Sequence, residues 1–260
     1  MMRQRPIGIF DSGLGGLTIT KEISRLLPDE DVIFLADQAN MPYGTKSEEK
    51  ILALTRTAVP LLIAEGAKAV VVACNSASVS ILDELRERYP DTVFIGVVPA
   101  VKPAAALSKS GTVAVFATGT TLNSSIYREL KAIHAENTKV IDIPCPTWVG
   151  MVESGTIRQA ELDKPVRQAL SSGADVLVLG CTHFPFLRQQ IAYIAGDRAE
   201  LVDSGEAIAQ RLKSVLSESE RRKKRGKGTI RFLTSGNEDE ASRVANILTG
   251  WDIRFRAVGH

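Results

Sequence analysis

Two short stretches constrain this chain more than any other feature. They are Val70-Val71-Val72-Ala73-Cys74-Asn75-Ser76-Ala77 and Val176-Leu177-Val178-Leu179-Gly180-Cys181-Thr182-His183. Each is an unbroken apolar run that reaches a cysteine and turns at once to small polar residues. A run this short, bounded by turn signals, reads as a strand buried on both faces. Open sheets of that kind place their ligands at the carboxyl ends of the strands. Each thiol is therefore expected at a strand end where a ligand would sit.

The rest of the chain keeps the same alternation. Strands are predicted near residues 7–10, 32–36, 93–97, 112–116, 140–143, 229–234 and 252–255, with helices between them, and Leu201-Val202-Asp203-Ser204-Gly205 leads into a further helix. Ser47 is placed to cap a helix running toward Gly66, with Glu48 and Glu49 in its first turn and a kink at Pro60. Residues 145–155 read as loop and short helix, with Glu153 in a surface loop. Strands alternating with helices predict parallel sheets covered on both faces. The chain also repeats itself. Ile7-Gly8-Ile9-Phe10-Asp11-Ser12-Gly13 aligns with Val113-Ala114-Val115-Phe116-Ala117-Thr118-Gly119, an offset of 106, and Cys74 and Cys181 are offset by 107. Two motif pairs that shift together point to an internal duplication. The expected architecture is α/β: two pseudo-symmetric doubly wound domains with parallel sheets, facing each other across a cleft that receives one thiol from each.

Composition narrows the function classes. The net charge is +2, so no broad field draws the chain to nucleic acid or a membrane surface. No apolar stretch approaches a membrane span. The first strand begins within six residues of Met1, which leaves no room for a signal peptide. The one basic run, Arg221-Arg222-Lys223-Lys224-Arg225, reads as a solvated linker. Three cysteines, an odd and low number, argue against a disulfide framework and for a reducing compartment. Their spacing does not suit zinc, so Cys74, Cys181 and His183 are not expected to hold a metal. Gly13-Leu14-Gly15-Gly16 lacks the spacing and the lysine of a phosphate loop. No lysine stands at a strand end near the cysteines to hold pyridoxal phosphate. Cys145, between Pro144 and Pro146, reads as structural, and His134 and His260 as solvated.

A symmetric pair of thiols suits one reaction class. To invert a stereocentre that bears hydrogen, a proton leaves one face and another arrives on the opposite face. That calls for two acid/base groups flanking the substrate. A thiol with an ordinary pKa of about 8.5 lies within tuning range of neutrality. Asp11, at the tip of the first strand, is expected beside Cys74, and His183 beside Cys181. Helix N-termini following both cysteines would favour thiolate. Asp11-Ser12-Gly13, Asn75-Ser76, Thr118-Gly119-Thr120-Thr121 and Thr182 supply two sets of donors of the kind that bind carboxylates. The residues alone give a two-base enzyme acting on a small polar substrate, with a non-catalytic bilobed binding protein as the rival.

The motifs Phe10-Asp11-Ser12-Gly13-Leu14-Gly15-Gly16, Asp37 with Pro42-Tyr43-Gly44, Ala73-Cys74-Asn75-Ser76-Ala77, Ala117-Thr118-Gly119-Thr120-Thr121, Val152-Glu153-Ser154-Gly155 and Gly180-Cys181-Thr182-His183-Phe184-Pro185 occur in one order. In that order the chain resembles the glutamate racemase family over about residues 7–210. The resemblance implies interconversion of L- and D-glutamate without pyridoxal phosphate, metal or nucleotide. It implies Cys74 and Cys181 as the proton-transfer thiols, Asp11 and His183 as their auxiliary groups, and Glu153 in support of His183. Substrate would be surrounded by Asp11, Ser12, Pro42, Tyr43, Gly44, Asn75, Ser76, Thr118, Thr121, Thr182 and His183. It further implies a cytoplasmic homodimer that supplies D-glutamate for bacterial peptidoglycan, with no nucleic-acid or membrane partner. The C-terminus would return to the first domain, giving residues 1–99 with 212–260, and 100–211. The family commonly has Thr where this chain has Ser76; the hydroxyl is kept, and a slightly looser pocket is expected. Aspartate and hydantoin racemases share the paired cysteines and are the alternatives within the superfamily.

Overall fold

Strands form where the apolar runs lie, and every strand pairing is parallel. The computed structural model describes residues 4–219, 221–223 and 226–258. Its elements are β1 (Ile7–Asp11), α1 (Leu17–Leu26), β2 (Val32–Ala36), α2 (Glu48–Ala64), β3 (Ala69–Val72), α3 (Asn75–Arg88), β4 (Val93–Gly96), α4 (Val101–Leu107), β5 (Thr112–Ala117), α5 (Gly119–Asn123), α6 (Ser125–His134), β6 (Lys139–Pro144), α7 (Trp148–Ser154), α8 (Gln159–Ser171), β7 (Val176–Leu179), α9 (Arg188–Ala195), β8 (Glu200–Val202), α10 (Gly205–Glu218), β9 (Ile230–Thr234), α11 (Glu238–Thr249) and β10 (Phe255–Ala257).

The strands make two sheets, ordered β10-β9-β2-β1-β3-β4 and β6-β5-β7-β8. The run β2-β1-β3-β4 repeats as β6-β5-β7-β8, so the sequence repeat is a repeat of topology. Strands β9 and β10 are additions to one edge of the larger sheet.

Side chains alternate across each strand. From β1, Ile7 and Ile9 enter one core with Phe34 and Val71, while Phe10 enters another with Leu35, Val70 and Val72. In the smaller sheet, Phe116, Leu177 and Leu179 face one core and Val115, Val176 and Val178 the other. A core on each face of each sheet is the doubly wound arrangement, and it explains why these strands show no polar alternation. Ser47 caps α2 by accepting the Lys50 N–H at 3.3 Å, and the helix continues through Pro60.

Some expectations are corrected. Strand β10 starts at Phe255, because the Ile253 N–H is taken by the Asn246 side chain at 2.7 Å. Leu212 falls inside α10, whose Ala209, Leu212 and Leu216 all join the larger sheet's core. The described part of the basic run is a clamp rather than a solvated linker. Arg221 donates to the carbonyls of Lys68 and Asp91 (3.2 and 2.9 Å), and Lys223 donates its N–H to Glu30 at 2.7 Å and pairs with Asp31 at 2.8 Å. These partners precede or begin the strands, so the clamp grips the amino ends of the sheet, away from the thiols. Glu30 is itself paired with Lys68 in full burial. Lys224, Arg225 and His260 lie outside the described residues, and His134 is half-buried. No described helix is long and apolar enough to cross a membrane.

Candidate active site

Each catalytic-candidate thiol lies two residues past its strand. Cys74 follows β3 and occupies the N-cap position of α3. Cys181 follows β7, but a turn and a short 3-10 helix, Phe184–Leu187, separate it from α9. The expected helix N-terminus therefore serves Cys74 and not Cys181. Both sulfurs are buried, and both line one small cavity between the two sheets.

Around Cys74 the neighbours come from β1 and the turn after it. The thiol lies 3.5 Å from Ser12 Oγ, which donates to Asp11 Oδ1 at 3.2 Å. Asp11 is wholly buried, and its Oδ2 has no hydrogen-bond partner among the described residues. Burial raises the Asp11 carboxyl above its ordinary range, partly offset by the charge of His183. Burial, and then the nearby Asp11, push the Cys74 thiol up to about 12. Without a ligand this environment favours the protonated thiol.

Around Cys181 the neighbours are charged and paired. Cys181 Sγ lies 3.7 Å from His183 Nδ1, and His183 Nε2 lies 2.6 Å from Glu153 Oε1. Burial works against a charge on His183, yet its contacts with Cys181 and Glu153 prevail and hold it well above its ordinary value. Glu153 is not a surface residue. It sits on α7, whose Trp148, Val149, Met151 and Val152 anchor it in the core, and it is 8% exposed. Its partners cross the cleft: Leu14 donates its N–H to Oε1 at 2.6 Å, and Gln38 Nε2 donates to Oε2 at 3.1 Å. Glycine permits this approach. A Cβ on Gly13 would overlap the Glu153 carboxylate, and one on Gly15 would overlap the His183 ring.

The other expected residues fall into two groups. Ser12, Pro42, Tyr43, Gly44, Asn75, Ser76, Thr118, Thr182 and His183 line the cavity. Asp11, Thr121 and Glu153 do not; they stand behind Ser12, Thr118 and His183 respectively, one hydrogen bond away. The Tyr43 hydroxyl donates its hydrogen to Asp37 Oδ2 at 2.5 Å, so toward a ligand it can only accept. Ser76 and Thr118 join their hydroxyls across the cleft at 3.0 Å. Among the described residues no group of His, Cys, Asp or Glu is arranged to hold a metal. Sequence reasoning missed Val149, which lines the cavity, and Gln38. Gln38 lies just past the carboxyl end of β2, and that position was the signal available for it.

Two parallel sheets of repeated topology, each sending a buried thiol into one shared cavity, place the chain in the two-domain α/β class. The chain belongs to the Asp/Glu/Hydantoin racemase family, whose model matches residues 7–212, and it is an amino-acid racemase. It is 42% identical over 255 residues to the glutamate racemase of Roseiflexus sp. (strain RS-1), covering 96% of this chain and 93% of that protein. Its fold matches the glutamate racemase isoform RacE1 of Bacillus anthracis with a TM-score of 0.88 at 32% identity, over 99% of this chain and 98% of that one. It also matches the glutamate racemase of Francisella tularensis in complex with D-glutamate, with a TM-score of 0.84 at 30% identity, over 99% and 98% of the two chains.

Proposed function

We propose that this racemase interconverts L- and D-glutamate by proton transfer between Cys74 and Cys181, without a cofactor. One observation carries the reading: two buried thiols from equivalent positions of a duplicated fold line the same cavity. Removing a proton from one face of a carbon and returning one to the other requires such a pair. In each direction one thiolate takes the α-proton. An S–H bond forms as the Cα–H bond breaks, and the electron pair moves into the α-carboxylate. The opposite thiol then delivers its proton to the other face and is left as thiolate. Asn75, Ser76, Thr118 and Thr182 surround the cavity with donors suited to a substrate bearing two carboxylates. Asp11, behind Ser12, acts on Cys74 through that hydroxyl and through its charge.

The substrate is read from relatives named glutamate racemase, one of them solved with D-glutamate. On the same reading the product feeds bacterial peptidoglycan in the cytoplasm, and the enzyme is a homodimer. Its domains are residues 1–99 with 212–260, and 100–211; the packing of Leu212 and Leu216 into the larger sheet's core supports the return of the chain to the first domain. The test is incubation with L-glutamate in D2O, following optical activity and the α-proton signal together. Decay of optical activity with deuterium entering the α-position is the expected result. Binding without exchange would make the cleft a binding site only. Inert glutamate with turnover of aspartate or a hydantoin would move the substrate within the superfamily.

A further inference from the structure

We infer that Gln38 is a positioning residue of the Cys181 half-site: it holds the Glu153 carboxylate on His183 from across the cleft, so that this half-site is built from both domains. The kinetic consequences rest on the two-thiol reaction proposed above; the geometry does not.

Glu153 stands on the smaller domain, and two of its partners stand on the larger one. Oε1 is shared by the Leu14 N–H and His183, each at 2.6 Å, while among the described residues Oε2 is bonded only by Gln38, at 3.1 Å. A carboxylate held at one oxygen turns easily about its broad terminal torsion. Gln38 therefore sets whether Oε1 stays on His183. The Gln38 amide is itself oriented. Gly236 donates its N–H to Thr234 Oγ1 at 3.0 Å, which leaves the Thr234 hydroxyl hydrogen for Gln38 Oε1 at 2.9 Å. The Gln38 nitrogen then faces Glu153. Thr234 is wholly buried and ends β9, so this chain of bonds is rooted in a strand. Strand β9 is one of the two that the smaller sheet lacks. The added edge of the larger sheet thus reaches, through Gln38, the acid/base pair of the opposite domain. None of the hydrogen bonds around Cys74 uses it.

The test uses Gln38→Leu, Thr234→Val and Thr234→Ser in the full chain. Gln38→Leu is expected to lower kcat about 10-fold with little change in KM, the usual scale for one hydrogen bond to a charged group. It should also raise the primary isotope effect for the α-deuterated enantiomer that Cys181 deprotonates and lower it for the other. In a Glu153→Gln background Gln38→Leu should cost nothing more, because Gln38 acts through that carboxylate. Thr234→Val should follow Gln38→Leu, and Thr234→Ser should behave as wild type. Unchanged isotope effects, or losses that multiply in the Glu153→Gln background, overturn the inference. If Gln38→Leu does not fold, equal activity of Thr234→Val and Thr234→Ser overturns it just as well. A wild-type protein inert toward glutamate would instead mean that the proposed reaction is wrong. Gln38 is then judged by NMR titration of His183, one of three histidines, which faces Glu153, Cys181 and Asp11. A lower midpoint in Gln38→Leu supports the inference, and an unchanged one overturns it.

Discussion

The two half-sites descend from one repeat and are built from opposite electrostatics. The residue equivalent to Asp11 in the second half is Ala117, and the residue equivalent to His183 in the first half is Ser76. Each half has kept the auxiliary group that the other lacks. The Cys74 half is assembled within its own domain from Asp11 and Ser12, a buried acid and a hydroxyl, and its thiol is held protonated up to about 12. The Cys181 half is assembled across the cleft: His183 comes from its own domain, but the Glu153 that bonds it is held by Leu14 and Gln38 of the other. Duplication placed both sulfurs at strand ends. The end of β1 then supplies Asp11 beside one sulfur, and the turn after β7 supplies His183 beside the other. A reaction between mirror-image substrates does not demand a mirror-image site, only two groups able to exchange protons from opposite sides.

The comparison breaks first if one thiol is dispensable. Cys74→Ser and Cys181→Ser should each lower racemisation on the order of 10⁴-fold, since a hydroxyl is a far weaker base than a thiolate and the proposed reaction uses both sulfurs in each direction. Residual activity near wild type in either variant, measured by optical rotation, would remove that sulfur from the reaction. The auxiliaries should matter less and in opposite senses. Asp11→Asn and His183→Asn should each cost roughly 10²-fold in kcat. Enantiomers have equal free energy, so kcat/KM stays equal in the two directions for every variant; the asymmetry appears in primary isotope effects. His183→Asn should raise the effect for the enantiomer deprotonated by Cys181 and lower it for the other, and Asp11→Asn should do the reverse. Identical patterns for the two variants would mean that the halves are not separate.

Closure sharpens the comparison further. Gly15→Ala puts a methyl group into the His183 ring and against Thr182, so it should spoil the Cys181 half by holding the domains apart. A loss of about 10²-fold in kcat/KM is expected, the scale of a displacement near 1 Å in a reacting site. Gly150→Ala on α7, where a Cβ meets nothing, should leave kcat/KM unchanged. Equal behaviour of the two variants would show that the glycine turn is not pressed against the site.

What the chain discloses by itself follows from how local each signal is. The strands and the duplication were legible because a strand buried on both faces must be apolar throughout, as Val70-Val71-Val72 and Val176-Leu177-Val178-Leu179 are. The thiols were legible because they follow those runs directly. Glu153 was misread as a surface loop residue, although Trp148, Val149, Met151 and Val152 around it mark a buried helical turn. The role of Gln38 depends on Thr234 and Glu153, 196 and 115 positions away, and the clamp role of Lys223 on Asp31, 192 away. No local pattern encodes such pairings. The upward push on the Cys74 thiol was not legible either, because it comes from burying the sulfur and then from the nearby Asp11.

The smallest expected effect separates the halves by pH. Asp11, Cys74 and His183 all hold protons more tightly in the folded chain than in the unfolded one. Each therefore contributes stability that falls as pH rises. The windows differ. The Asp11 contribution begins to fade above its ordinary 3.8. That of His183 is complete below its ordinary 6.5 and is lost as pH climbs through its raised folded value. That of Cys74 is complete below 9.0 and is lost toward about 12. Asp175, whose desolvation is outweighed by hydrogen bonds from Ser108, Ser110 and Lys109, is held down to about 2 and works in the opposite direction, but only in acid. Between about pH 5 and 8, below the range where buried Lys68, Cys145 and Tyr127 titrate, the site should dominate the slope. Calorimetric Tm of ligand-free protein should thus decline by a few degrees from mild acid into alkali. His183→Asn should flatten the neutral and mildly alkaline part of that decline, and Asp11→Asn the mildly acid part. A His183→Asn protein whose Tm falls as steeply as wild type above neutrality would mean that the imidazolium–carboxylate pair is not what distinguishes the Cys181 half, and the contrast between the two halves would then rest on Asp11 alone.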